Sequence, residues 1–152
     1  MNIVVLGCKD KNLEDTLIQA TTFFCSELLS KKILPYIEIE IVMKSKMKDL
    51  GSCVVTNYND WYRARYFEIE LRKYRSLKNT LLTLAHEVVH LKQFAKGQLN
   101  CDQTKWMGAL FDTDVVAYYD YPWEIEACSM EHILYGLYID GIINNDRNKV
   151  EG

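Results

Sequence analysis

The sequence predicts an α+β fold in a single domain over residues 1–152, with its core over about residues 10–139. Three patterns predict it. Apolar residues recur at helical intervals near the start, after the middle and near the end of the chain. Between the first two of these segments they alternate with polar residues, as strands do. No repeat, low-complexity tract or Gly/Pro/Ser-rich linker divides the chain. The expected order is an N-terminal helix, a small three- to four-stranded sheet, a second helix, a loop and a C-terminal helix.

After a short apolar start, Lys11 to about Lys32 carries Leu13, Leu17, Ala20, Phe24 and Leu28 on one helical face. Pro35 ends any continuation. From Tyr36 to Lys44, Ile37, Ile39, Ile41 and Met43 alternate with Glu38 and Glu40, predicting a strand. Gly51 to Tyr58 reads as a second strand, and Asn57-Tyr58-Asn59-Asp60 as turn chemistry. Tyr66 to Arg72 alternates again. Ser76 is placed to cap a helix running to about Lys96, with Gly97 just beyond its end. Leu99 to Tyr121 reads as a loop. A last helix is predicted from Pro122 to about Ile139, followed by a fraying polar tail.

Composition narrows the function. Hydrophobic residues at 49% and charged residues at 26% give an ordinary globular balance. A net charge of -3 argues against a nucleic-acid partner, whose phosphates call for clustered Lys and Arg. The small basic clusters Lys44/Lys46/Lys48 and Arg72/Lys73/Arg75 read as solvated strand ends or loops. Five scattered cysteines lack C-x-x-C spacing and fit a reducing compartment, with Cys101 and Cys128 expected as buried thiols. The apolar start is too short for a signal peptide, and no segment has the length of a membrane span. The expected setting is the cytoplasm.

One motif carries chemistry. His86-Glu87-Val88-Val89-His90 is H-E-x-x-H within the second helix, and it contains two of the chain's three histidines. Four residues apart on a helix, both imidazoles project from one face and can hold one Zn²⁺, with Glu87 placed to deprotonate a water. The apolar arc of this helix (Leu81, Leu84, Ala85, Val88, Leu91, Ala95) leaves Asn79, Thr83, His86, His90 and Gln93 on an opposite polar stripe. A metal site over a cleft needs such an arrangement.

Zinc requires a third protein ligand. The extended pattern ending in a third histidine is absent, so the choice lies among Glu126, Glu124 and His132. Glu126 shares a helical face with Trp123, Met130, Ile133, Leu134 and Leu137, which predicts burial. Glu124 shares one with Cys128, Glu131 and His132, which looks wetter. A carboxylate on an apolar stripe is costly unless it is paired or bound to metal. Glu126 is therefore the favoured ligand, with Glu124 and His132 as alternatives.

The motif followed by Glu126-Ala127 in a later helix resembles the gluzincin group of zinc metallopeptidases, the thermolysin-like clan. The longer strings Leu84 to Gln93, Trp106-Met107-Gly108 and Pro122 to Ala127 look like small metallopeptidase-like proteins common in tailed phages. The order of elements is similar to minimal zincin domains, including SprT-like and minigluzincin ones. For a phage-encoded protein the host cytoplasm is the implied location. The resemblance implies a minimal zincin fold and a cleft-edge strand antiparallel to a bound peptide, a place Tyr66 to Arg72 would hold. It departs from the thermolysin pattern at Met130, where that group has an aspartate supporting a motif histidine; Glu131 stands one residue further on.

The expected activity is hydrolysis of peptide bonds in a peptide or protein substrate. Zn²⁺ on His86, His90 and Glu126 would activate the water, with Glu87 as general base. Tyr118, Tyr119, Tyr121 or His132 would assist the oxyanion, with Glu124 as a further supporting residue. Two other classes stand beside this one. One is a catalytically silent zinc-binding module of the same fold, serving in a virion or in host takeover. The other, a DNA-associated SprT-like protease, is disfavoured by the net charge.

Overall fold

The computed structural model describes residues 1–73 and 75–151. It is an α+β arrangement of a four-stranded mixed sheet, three α-helices and a two-stranded hairpin. The apolar start is itself a strand, β1 (Asn2–Leu6), followed by α1 (Lys11–Leu28), β2 (Glu38–Lys44), β3 (Gly51–Tyr58) and β4 (Ala64–Arg72). Next come α2 (Leu77–Ala95), the short strands β5 (Lys105–Trp106) and β6 (Ala109–Leu110), and α3 (Pro122–Glu151). Single 3₁₀ turns occupy Leu34–Tyr36, around Pro35, and Tyr118–Asp120.

Helix boundaries follow local chemistry. Asp10 caps α1 by accepting from the Asn12 and Leu13 amides, and Ser76 caps α2 by accepting from Asn79. Gly97, at φ +69°, closes α2 in the left-handed conformation glycine adopts at little cost. Three expectations need correction. The predicted loop contains the β5–β6 hairpin, and α3 continues well past Ile139 through the segment expected to fray. Cys101 and Cys128 are exposed, not buried.

The sheet order is β1-β2-β4-β3, with β1, β2 and β4 parallel and β3 antiparallel to β4. Strand alternation sends Ile39, Ile41, Met43, Phe67, Ile69 and Leu71 into the core beneath α1 and α2, and Glu38 and Glu40 outward. Helix α3 packs on α2, anchored by the fully buried Trp123 and Ala127. This order corrects the edge assignment. Residues 66–72 belong to the doubly paired β4, and the edge beside α2 is β3.

Strand β3 passes over α2 at Gly51. A Cβ there would lie 2.7 Å from Thr83 Cγ2 and 2.9 Å from Glu87 Oε1. Glycine thus sets how closely the edge strand approaches the motif helix. Gly51→Val should cost about 1–3 kcal/mol through overpacking, measured by denaturant unfolding, and should displace Glu87. Wild-type stability would show that β3 stands further from α2.

Candidate metal centre

The two motif histidines face the first turns of α3. His86 Nε2 and His90 Nε2 lie 3.1 Å apart. His86 Nε2 is 3.2 Å from Glu124 Oε2, and His90 Nε2 is 3.3 Å from Glu124 Oε1. Ligands about 2.0–2.2 Å from a tetrahedral Zn²⁺ stand about 3.3–3.6 Å apart, so the three groups already sit close to one face of that tetrahedron. They form a group with metal-ligand spacing.

The far nitrogen of each imidazole is anchored. His86 Nδ1 is 2.8 Å from Glu131 Oε2, and His90 Nδ1 is 2.8 Å from Gln93 Oε1. The Gln93 amide cannot turn freely, because its Nε2 donates to the Trp123 carbonyl at 3.0 Å and to Glu126 Oε2 at 2.8 Å. Its oxygen is left to accept from His90 Nδ1–H, which points the His90 Nε2 lone pair at the centre. Each histidine therefore has the acceptor that metal-bound imidazoles usually have, a carboxylate for one and an amide for the other.

The structure brings Glu124, not Glu126, to the histidines. Glu126 instead bonds Lys92 and Gln93, both in the last turn of α2. The reason is rotational. Trp123, Ala127, Leu134 and Tyr138 are the buried face of α3, while Ile133 and Leu137 are more than two-fifths exposed. At about 100° per residue, Glu124 and Glu131 lie only about 20° apart on one flank of that face, and Glu126 lies on the opposite flank. The side expected to be wet is covered by α2, and Glu124 is only 6% exposed.

The other expected residues separate clearly. His132 points outward, its side chain 70% exposed and its Nε2 3.3 Å from Glu131 Oε1. Tyr121 packs on Phe111 and Trp123, and its hydroxyl donates to the Thr113 carbonyl. Tyr118 and Tyr119 line a cleft of about 710 Å³ that also holds His86, Glu87, His90, Glu124 and the start of β3. Gln93 and Glu131 are supporting residues that composition alone did not reveal; the Gln93 position on the polar stripe was the available signal.

The electrostatics fit a site built for a cation. Burial disfavours charge on Glu124, but bonds to His86 and His90 outweigh it and pull the carboxyl down to about 2. Burial likewise opposes charge on His86; Glu124, Glu87 and Glu131 overcome it and hold the imidazole at about 9. Without metal, a proton on His86 supplies the positive charge these acceptors require. Glu87 behaves oppositely. Burial lifts its carboxyl to about 7, with the charges of Glu124 and Asp49 adding to the effect and the two histidines opposing it. Burial and the Glu124 charge push the Tyr118 hydroxyl up, which keeps it a donor.

Comparison with family models, curated proteins and solved structures gives no match. The geometry therefore carries the functional reading. Among the described residues no helix is long and apolar enough to cross a membrane. Removing an anchor from either histidine should weaken zinc binding by about 10–100-fold. Gln93→Leu and Glu131→Leu are the variants, and competition with a chromophoric chelator is the measurement. Unchanged affinity in both would leave the anchors without a role in metal binding.

Proposed function

We propose that the chain is a small zinc-dependent peptidase, a gluzincin-like endopeptidase on a minimal zincin fold, acting on extended peptide or protein segments. The observation that carries this reading is the convergence of His86 Nε2, His90 Nε2 and a Glu124 oxygen at 3.1–3.3 Å, with both Nδ1 atoms anchored. These three residues would hold the ion. Bound there, Zn²⁺ would supply Lewis-acid polarisation of the scissile carbonyl and acidify the attacking water.

The chain's own groups do the rest. Glu87, one residue from His86 and buried in the cleft wall, takes the proton from water and returns it to the leaving amine. A carboxyl lifted to about 7 suits both directions of that transfer near neutral pH. The free edge of β3 offers main-chain donors and acceptors to an extended substrate, which would add as a further strand. The Tyr118 hydroxyl, beside Glu124 in the same cleft, can donate to the developing oxyanion. The five unpaired thiols go with a reducing, cytoplasmic setting.

Elemental analysis should find one zinc per chain, and a fluorogenic peptide library should be cleaved in a chelator-sensitive, zinc-restorable way. Failure to take up zinc after reconstitution would overturn the reading.

A further inference from the structure

A second cavity, of about 550 Å³, opens at the carboxyl ends of the parallel strands β1 and β2. Its volume is within the range of small-molecule sites. Crevices at this end of parallel strands are where open α/β sheets commonly take ligands. It shares only Arg75 with the metal-centre cleft. The strand-to-helix loop that forms one wall is fixed by Gly7, at φ +73°, where a Cβ would meet the Met43 carbonyl oxygen at 2.5 Å. No side chain can occupy that position without moving the loop.

The lining combines charge with an apolar floor. Lys9, Lys73 and Arg75 border the cavity, and among the described residues none of them pairs with a carboxylate. Nη1 of Arg75 is buried with no hydrogen-bond partner among the described residues. Asp10 also borders the cavity, but its carboxylate is engaged in capping α1. Three cations against one carboxylate leave two positive charges to balance. Leu13, Met43 and Leu77 supply the apolar surface.

We propose that this cavity is a binding site for a phosphate monoester carrying a compact apolar group. Such a ligand is close to a dianion at neutral pH and brings several strong acceptor oxygens. The phosphoryl group would meet Lys9, Lys73 and the Arg75 side chain, and the apolar group would cover Leu13 and Met43. The site does not depend on the metal centre.

Isothermal titration of the zinc-loaded chain with phenyl phosphate, inorganic phosphate and benzoate tests this. Phenyl phosphate should bind saturably and about tenfold tighter than either of the others, since the ring and the dianion each contribute about 1.4 kcal/mol or more. The double variant Lys9→Gln/Lys73→Gln should lose at least about tenfold, and the zinc-free wild-type chain should bind phenyl phosphate as tightly as the zinc-loaded one. Absent binding, equal binding of benzoate or inorganic phosphate, or an indifferent double variant would each overturn the proposal. Loss of binding in the zinc-free chain would place the phosphate on the metal centre and overturn it too.

Discussion

Glu124→Gln is expected to strip zinc from the chain, whereas Glu126→Gln is expected to keep it. Both substitutions are nearly isosteric and both remove one carboxylate from the first turns of α3, so a general loosening of the helix would affect them alike. They differ in what each carboxylate meets. Glu124 presents an oxygen to each motif histidine within 3.3 Å, while Glu126 meets Lys92 and Gln93. Losing Glu124 removes a charged ligand and should cost more than the roughly 10–100-fold associated with a supporting residue. Losing Glu126 leaves Gln93 still held by the Trp123 carbonyl, so affinity should fall by about tenfold or less. Chelator competition at fixed pH separates the two, and the reverse ranking would reject the ligand geometry.

Zinc uptake should also depend on pH in a defined direction. His86 carries a proton below about pH 9 in the metal-free chain, and the metal must displace it. Apparent affinity should therefore rise with pH up to that value, with proton release on binding. A pH-independent affinity would mean that the incoming metal does not compete for His86.

Much of the scaffold was legible because local signals agreed. Ser76 and Gly97 bracket α2, Gly51 to Tyr58 forms β3 with the predicted ends, and the glutamate alternation marks the outward face of β2. The H-E-x-x-H pair was legible for the same reason: its spacing is local to one helix. The carboxylate that joins this pair was not, because its identity depends on how α3 is rotated against α2. Trp123 and Ala127 set that rotation, and they outvote the exposed Ile133 and Leu137, which look equally apolar in the sequence. Strand order is likewise nonlocal. Nothing within Tyr66–Arg72 reveals that β2 pairs along its other side, making β3 the edge. The apolar start could pair as β1 only once β2 existed to receive it.

Glu87→Gln is expected to keep one zinc per chain, lose about 10²–10⁴-fold in hydrolysis, the usual contribution of a general base, and gain stability above neutral pH. The last effect distinguishes a functional residue from a merely structural one. The Glu87 carboxyl is lifted to about 7 in the folded chain, from an ordinary value of 4.5. Its unfolded form therefore gives up the proton at lower pH than its folded form does. Between those two values the folded chain binds more protons than the unfolded one, so the group's contribution falls as pH rises, and the penalty is complete above about 7. In the metal-free protein this amounts to at most about 3 kcal/mol at about 1.4 kcal/mol per pH unit. Glutamine fills the same space without a charge and escapes that penalty. Unfolding of metal-free wild type and variant should give similar stabilities near pH 4.5 and a more stable variant near pH 8. A variant that loses both turnover and stability at pH 8 would mark Glu87 as a packing residue. A carboxylate buried at a cost to stability, beside a cleft and between two histidines four residues apart on one helix, is what a general base requires.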